Sequence, residues 1–345
     1  MKRAYRLVLA LVLFMSTAVL AAEDIVLESD VLKLVLHSQS GTYSLYRKSG
    51  KKNRFTAFTE VSDYASSTFF AIKADGKYIP LRRDYNTTIS AVQNDDGSAS
   101  LVFDADGTFH AEARFALLVT QKEMPADSVR VDLSVKNLSD KDAVLSMKAV
   151  IDTVLGETSR IHFTTAKGSA IRTEKAFATM TQDKWISSSD GIGTLSVLLA
   201  GSAATDPEYV LAANRDIMLS DAWKPVVNEG RSFSTLQSPN NSALGIWFSE
   251  TKLKQNGTAR YTFFLTTAAD GDVPPNAALL GIESDPEVPE LSESTVESAS
   301  EIVNTAYIQQ LLDRIQEIEN SDNPDPEEIQ ELSAEIDALI LKLTE

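Results

Sequence analysis

Residues 128–163 read SVRVDLSVKNLSDKDAVLSMKAVIDTVLGETSRIHF, and their pattern decides the fold. Apolar residues occupy every second position in 129–135 and again in 143–151, which is the period of a strand with one buried face. The polar segment 137–142 between them is dense in residues that form turns. The sequence therefore predicts a long β-hairpin with one apolar face and one solvated face. It ends in the carboxylates and the glycine of 151–157, just past a strand, where binding loops often lie.

Much of the remaining chain has the same β pattern. Short β-type segments follow one another at 25–27, 32–36, 42–47, 68–74, 78–81, 88–93, 99–104, 109–119, 194–199, 244–248 and 260–266. Asp-Gly pairs at 75–76, 96–97 and 106–107 separate several of them, and these pairs suit tight hairpin turns. So many short strands predict a mainly β fold, a large antiparallel supersandwich of two packed sheets.

One short helix is expected inside this β region, at 209–214. Asp206 suits its cap and Pro207 suits its first turn. About 250 residues is large for an immunoglobulin-like unit, so the sequence favours one enlarged sandwich, residues 23–270, over two tandem domains.

The N-terminus has the features of a secretory signal. Basic residues precede an apolar run at 7–20, and Ala21 and Ala22 are small residues suited to cleavage, so 1–22 is predicted to be a signal peptide. A retained membrane anchor is the alternative, but the apolar run is shorter than the ~20 residues that span a bilayer. The chain has no cysteine, which excludes disulfides, thiolate metal sites and lipid attachment through a cysteine. We therefore expect an exported protein whose mature chain has no transmembrane segment.

The net charge of −17 argues against two classes of ligand. Its long-range field repels both nucleic acids and anionic lipid headgroups. Much of the acidic excess lies in residues 283–345, where Arg314 and Lys342 are the basic residues. A solvated acidic surface is the simplest interpretation of this charge.

The composition changes after residue 270. Residues 271–300 are rich in proline, serine and glutamate and are predicted to form an extended acidic linker. Residues 301–345 carry two apolar stripes at helical spacing, which predict an antiparallel helical hairpin. Packing the two stripes together leaves Leu312 and Ile340 beside the seam. We expect them to contact an envelope or periplasmic protein, a second copy of the chain, or the sandwich itself.

Six short motifs resemble an exported β-sandwich module of bacterial surface and periplasmic proteins. They are Val-Lys-Asn-Leu-Ser at 135–139, Ile-Asp-Thr-Val-Leu-Gly-Glu at 151–157, Val-Leu-Ala-Ala-Asn at 210–214, Ala-Trp at 222–223, Gly-Arg-Ser-Phe at 230–233 and Asn-Ser-Ala-Leu-Gly-Ile-Trp at 241–247. The module is similar to the galactose mutarotase-like supersandwich, the fold also seen in the periplasmic domain of the YidC insertase. The resemblance implies this fold and a location in the periplasm or on the surface of a bacterium. Mutarotases use paired histidines and a glutamate in a cleft, and no motif here matches them, so the enzyme is not implied.

Three polar residues just past the predicted hairpin form a candidate ligand site. Asp152, Glu157 and His162 have the chemistry to polarise a sugar hydroxyl or to hold a metal ion. No spacing signature demands either role, and ordinary hydrogen bonding within a loop is the alternative. The sequence has no motif for a nucleophilic serine, a dinucleotide loop or a twelve-residue calcium loop. We therefore expect no cofactor and no metal.

Trp185 is the candidate for stacking on a sugar ring, because it lies in the loop-like segment 183–187. A place in the core is the alternative. Without a catalytic motif, the sequence predicts a non-enzymatic binding or assembly module of the envelope that acts through protein–protein contacts. A carbohydrate-binding protein or a sugar-active enzyme on the same fold is the alternative.

Overall fold

The computed structural model describes residues 23–49, 54–61, 67–83, 86–105, 107–120, 123–158 and 161–269. Strands occupy most of these residues and are numbered in chain order: β1 (Ile25–Glu28), β2 (Leu32–His37), β3 (Thr42–Ser49), β4 (Arg54–Ala57), β5 (Phe69–Ala74), β6 (Lys77–Leu81), β7 (Thr87–Gln93), β8 (Ala99–Ala105), β9 (Phe109–Leu118), β10 (Ser128–Asn137), β11 (Ala143–Asp152), β12 (Phe163–Thr165), β13 (Ala170–Ile171), β14 (Lys175–Phe177), β15 (Trp185–Ser189), β16 (Gly193–Leu198), β17 (Tyr209–Asn214), β18 (Ser242–Trp247), β19 (Thr251–Leu253) and β20 (Thr258–Ala269). Two short helices interrupt them, a 3-10 helix at Leu155–Thr158 and α1 at Arg215–Met218.

The strands form three antiparallel sheets in the part of the chain that the structure describes. The largest has nine strands in the order β13-β12-β15-β16-β20-β10-β9-β8-β7. The second has seven: β14-β17-β18-β11-β5-β6 lie side by side, and β19 pairs with the first residues of β11. The third holds β1-β2-β3-β4. The predicted mainly β, antiparallel class is therefore confirmed.

The number of sheets differs from the two that were predicted. The first four strands pair consecutively with one another, so they form a small sheet of their own. A bridge between Thr59 and Thr153 joins the end of this region to the seven-stranded sheet. One continuous apolar core is shared by the three sheets, and Leu34, Phe70 and Phe115 are buried members of it from each sheet in turn.

The two strands of residues 128–163 do not pair with each other, so the predicted hairpin is wrong. β10 lies between β9 and β20, whereas β11 lies in the other large sheet between β5 and β18. The alternation of β10 is as predicted, with its valines and leucine buried. β11 is buried on both faces beyond Val144, and even Lys148 is 1% exposed. Burial on both faces is typical of a central strand rather than of one arm of an exposed hairpin.

Asn137 holds the chain where it crosses from one sheet to the other. Its side-chain amide donates to the carbonyl oxygens of Lys141 at 2.7 Å and of Leu253 at 3.3 Å. Its own N–H donates to Gly257, and its carbonyl oxygen accepts from the N–H of Asn256. The crossover is thus tied to the loop that leads into β20, which fixes where each strand enters its sheet.

Residues 209–214 form strand β17 and not the predicted helix. Their apolar run, 210–213, fits either a short buried strand or a helix, since periodicity alone does not separate the two. In the sheet these residues alternate between the shared core on one side and a second apolar cluster on the other. Burial on both faces of the sheet therefore explains why all four positions are apolar.

The helix α1 begins directly after β17. The Asn214 side-chain oxygen caps it by accepting from the N–H of Asp216 at 3.0 Å. Met218, the last residue of the helix, belongs to the second apolar cluster, and Trp223 and Val227 beyond the helix pack against this cluster, on the face of the seven-stranded sheet turned away from the shared core. We call this the outer face. The segment that covers it buries the polar side chains that β11 presents there.

Several predicted elements lie outside the described residues: the signal peptide (1–22), the acidic linker (271–300) and the helical hairpin (301–345) with Leu312 and Ile340. They stay predictions. Within the residues that are described, no helix is both long enough and apolar enough to cross a bilayer.

Candidate functional site

A buried carboxylate lies at the end of the central strand β11. Asp152 is the last residue of this strand and is 1% exposed. Its Oδ2 accepts a hydrogen bond from the Ser67 hydroxyl, and its N–H donates to the Thr68 hydroxyl at 3.1 Å. Its Oδ1 has no hydrogen-bond partner among the described residues. Burial raises the pKa of Asp152 to about 6, because the charged form loses its hydration.

A second carboxylate, Glu157, lies in the 3-10 helix that follows β11. This helix packs so closely that a Cβ on Gly156 would lie 2.4 Å from the carbonyl oxygen of His162, so glycine is required there. Burial, and then the charge of Asp152, raises the pKa of Glu157 to about 7. The Ser242 N–H donates to this carboxylate, yet its Oε1 is buried with no partner within the described segments.

One guanidinium lies near both carboxylates. Arg215 is the first residue of α1, and its charge lowers the pKa of Asp152 and of Glu157 by less than burial raises them. Its Nη2 lies 3.5 Å from Asp216 Oδ1, and its Nε is buried without a hydrogen-bond partner in the described part of the chain. Glu60 adds a negative charge that raises both pKa values. The cluster therefore holds more acidic than basic groups.

His162 is joined to this cluster through Ser242. Its Nδ1 lies 2.7 Å from the Ser242 hydroxyl, and its Nε2 lies 3.0 Å from Asn240 Oδ1. An amide oxygen only accepts, so Nε2 carries the proton and Nδ1 accepts from the hydroxyl. The centre of the Phe233 ring is 4.4 Å from that of the imidazole, and burial lowers the pKa of His162. The side chain is neutral, with both nitrogens bonded.

The structure thus brings Asp152, Glu157 and His162 together, two of them in direct electrostatic contact and the third through one serine. No group of three or more histidine, aspartate or glutamate side chains in the described segments is arranged to hold a metal ion. Sequence reasoning missed Arg215 and Ser242. Each follows the 151–162 segment by dozens of residues, and its relation to that segment is created by strand pairing in the seven-stranded sheet.

Trp185 lies apart from these residues. It is the first residue of β15 and not part of a loop, and its half-buried ring packs with Leu198 and Phe264. It shares a face of β15 with Ser187 and Ser189, because alternate residues of a strand point the same way.

A cleft of 480 Å³ opens at the edge of the nine-stranded sheet formed by β13, β12 and β15. Its lining includes Ile161, Phe163, Thr164, Arg172, Ser187 and Ser189. Ile161 and Phe163 border the cleft, whereas the side chain of the histidine between them bonds to Ser242 and the Phe163 ring is buried in the shared core. The carboxylate cluster and the cleft are therefore neighbouring but distinct features.

A buried lysine lies on the same outer face of β11 as Asp152. Lys148 is 1% exposed, and none of the described carboxylates forms an ion pair with it. Burial, and then the charge of Arg82, lowers its pKa to about 8. The outer face of β11 thus presents one buried base in the middle of the strand and one buried acid at its end to the segment that covers the sheet.

No protein-family model matches this chain, and no curated protein matches it. Among solved structures, a galactose mutarotase related enzyme from Lactobacillus acidophilus aligns with 72% of this chain and 99% of its own, at 10% identity and a TM-score of 0.46. A GalM/aldose epimerase homologue from C. elegans gives the same four values. A putative aldose 1-epimerase from Escherichia coli K12 aligns with 72% of this chain and 99% of its own, at 12% identity and a TM-score of 0.44. The structural neighbours are galactose mutarotase-like β-sandwich proteins, as the sequence motifs predict, while the relation to the YidC type stays a prediction.

Proposed function

We propose that the protein is an exported carbohydrate-binding protein whose ligand site is the cluster of Asp152, Glu157 and Arg215. One observation carries the proposal. Four buried polar atoms in and beside this cluster lack a hydrogen-bond partner among the described residues: Asp152 Oδ1, Glu157 Oε1, Arg215 Nε and Asn241 Oδ1. Buried polar atoms are nearly always bonded in folded proteins, so a concentration of exceptions favours a site that a ligand completes.

The chemistry of these atoms matches a saccharide. Three of them accept hydrogen bonds and one donates, and sugar hydroxyls do both. The excess of carboxylates in the cluster disfavours a polyanionic ligand, because such a ligand would be repelled. Glu157, with its pKa at about 7, is present at neutral pH in comparable amounts as acid and as carboxylate. It can therefore accept from or donate to the same hydroxyl.

The proposal is one of binding rather than turnover. Sugar hydrolysis or epimerisation uses two groups that exchange protons with the substrate. His162 is bonded at both nitrogens and Asp152 is almost fully buried, which leaves Glu157 as the partly exposed proton-exchanging group of the three. The predicted signal peptide supports a ligand outside the cytoplasm, in the bacterial envelope.

A glycan array followed by calorimetry tests the proposal with Glu157→Gln, which keeps the shape of the side chain and removes its charge. We expect at least one neutral oligosaccharide to bind and Glu157→Gln to weaken it roughly tenfold, the size of a hydrogen bond to a charged group. Glu250→Gln is the matched control, because Glu250 pairs with Lys73 at 2.8 Å near the other end of β11. Absence of glycan binding, or equal binding by both variants, would refute the site. Turnover that Glu157→Gln abolishes would replace binding by catalysis.

Protein assembly is the second candidate, and the helical pattern of residues 301–345 favours it. Leu312 and Ile340, beside the predicted seam, would contact a partner in the envelope or a second copy of the chain. Deleting 301–345, or replacing Leu312 by aspartate, tests self-association by sedimentation. Loss of a dimer with an unchanged melting temperature of the β region supports assembly. A lower melting temperature with no change in mass indicates an internal tether instead.

A further inference from the structure

The cleft beside residues 161–163 carries a cation that the described chain leaves unpaired. Arg172 lines the cleft and is exposed. The nearest carboxylate in sequence, Glu174, forms an ion pair with Arg231 instead. Its two oxygens accept hydrogen bonds from the Arg231 Nη2, at 2.8 Å and 3.0 Å. Asp190 accepts the N–H groups of Ile192 and of the residue after it. No other described carboxylate forms an ion pair with Arg172.

The wall around this cation offers hydroxyl groups on one face of the sheet. Thr164 and Ser187 lie directly opposite each other on β12 and β15, and Ser189 follows two residues along the same face. Ser187 shares one hydrogen bond with Ser196, 2.7 Å away, and the Ser189 hydroxyl donates to the Gly193 carbonyl oxygen at 3.0 Å. Each of these hydroxyl oxygens keeps acceptor capacity for a ligand.

We infer that this cleft binds a carboxylate-bearing sugar unit, a uronic acid. The inference rests on the proposed saccharide function and extends it to a second, acidic subsite. The planar guanidinium of Arg172 matches a carboxylate in a two-bond arrangement, and the hydroxyl row suits the ring hydroxyls. The partly exposed Ile161 provides apolar surface for the ring.

The charge balance selects a monoanion. One guanidinium neutralises the single charge of one carboxylate, whereas a phosphate monoester brings up to about two negative charges into a protein whose net charge is −17. The volume of 480 Å³ lies within the ~300–1,000 Å³ range of small-molecule sites. A single sugar unit with its carboxylate therefore fits both the charge and the space.

Calorimetry with the full chain tests the inference with three probes: a galactose oligomer that carries one galacturonate unit, the neutral galactose oligomer of the same length, and inorganic phosphate. We expect the oligomer with one galacturonate unit to bind most tightly, and Arg172→Gln to weaken its binding roughly tenfold or more. The affinity for the neutral oligomer should stay the same in this variant. Arg260→Gln is the matched control, since Arg260 is another exposed arginine of the nine-stranded sheet, on β20.

The outcomes separate the two proposals. Equal binding of the neutral oligomer and the galacturonate-bearing oligomer, or binding of the latter that Arg172→Gln does not weaken, overturns the acidic subsite and leaves the site at Glu157 standing. Tight binding of phosphate instead of the uronate overturns the ligand class. If uronate binding depends on Arg172, and neither the uronate nor the neutral oligomer binds more weakly to Glu157→Gln, the cleft is supported and the carboxylate cluster is refuted as a ligand site.

Discussion

The ammonium nitrogen of Lys148 lies 4.5 Å from the centre of the Tyr78 ring. Three further rings surround it, at 5.7 Å for Phe69, 5.6 Å for Trp223 and 5.5 Å for Trp247. The indole N–H of Trp247 also donates to the carbonyl oxygen of Trp223 at 2.7 Å. Aromatic faces attract a cation, so the charge at the middle of the sheet is held by rings rather than by a carboxylate. The lysine thereby connects three strands with the segment that covers the outer face.

Lys148→Met tests what this arrangement contributes to stability. The folded-state pKa of about 8 is below the usual 10.5, so the unfolded chain binds more protons between these pH values and stability rises with pH across that window. Below pH 8 the folded protein bears the full cost of the buried charge. We expect Lys148→Met to raise the free energy of unfolding at pH 7 by about 1–3 kcal/mol and to abolish the rise above pH 8. Urea unfolding at pH 7 and pH 10 measures both effects.

The matched control is Lys73→Met. Lys73 lies on the neighbouring strand β5 and pairs at the surface with Glu250 at 2.8 Å, so its replacement should change the free energy of unfolding by about 1 kcal/mol or less. A Lys148→Met protein that is less stable than the wild type at pH 7 would show that the ring contacts outweigh desolvation.

Asp152→Asn should abolish a pH dependence of the opposite sign, in which the stability of the wild type falls as pH rises. The folded-state pKa of about 6 is above the usual 3.8, so the stabilising effect of the protonated acid is complete below pH 3.8 and is lost as pH rises through 6. We expect the variant to exceed the wild type by about 1–3 kcal/mol in free energy of unfolding at pH 8 and to match it near pH 4. Denaturant unfolding at both pH values, with the exposed Asp142→Asn as control, provides the check. Parallel pH profiles for wild type and Asp152→Asn would contradict the raised pKa.

The hydrogen bonds of His162 predict its tautomer. Nitrogen-15 chemical shifts should show a neutral imidazole with the proton on Nε2 at pH 7, and at pH 6 a smaller fraction should be protonated than in an ordinary imidazole, because burial lowers the pKa of His162. An ordinary imidazole is about three-quarters protonated at that pH. Asn240→Asp provides a second test. The new carboxylate should raise the pKa of His162, since a negative charge beside Nε2 stabilises the imidazolium. A mixture of tautomers at pH 7 would show that the two bonds do not hold the ring.

Asn137→Ala should destabilise the crossover between the two large sheets. The substitution removes the amide donor to Lys141 and Leu253, and it removes the side-chain oxygen that accepts from the N–H and the hydroxyl of Ser139. We expect a loss of about 2 kcal/mol in the free energy of unfolding. Asn94→Ala is the control, because its amide bonds the Ser98 hydroxyl within one hairpin turn and joins no two sheets. Equal losses in the two variants would mean that the hydrogen bonds at the crossover contribute no more to the free energy of unfolding than those within a hairpin turn.

Much of the local structure follows from the sequence, because it depends on neighbours along the chain. The two-residue period marks β10, and the turn at Asp75 and Gly76 forms as predicted, with both residues at positive φ, 47° and 85°. The candidate residues Asp152 and Glu157 were found in the same way, as polar groups just after a strong strand. Local chemistry was sufficient for each of these.

What only the tertiary structure decided is which strands pair and what covers them. A two-residue period shows that a strand has two faces, but it does not say which sheet the strand joins, so β10 and β11 were predicted to form one hairpin. The apolar run 210–213 and the polar outer face of β11 were misread for the same reason. The outer face of β11 is buried by the segment around α1, which lies far from β11 in sequence. The site residue Arg215 and the pKa values of Asp152 and Glu157 likewise arise from burial and from charges that the fold brings near, which no local pattern encodes.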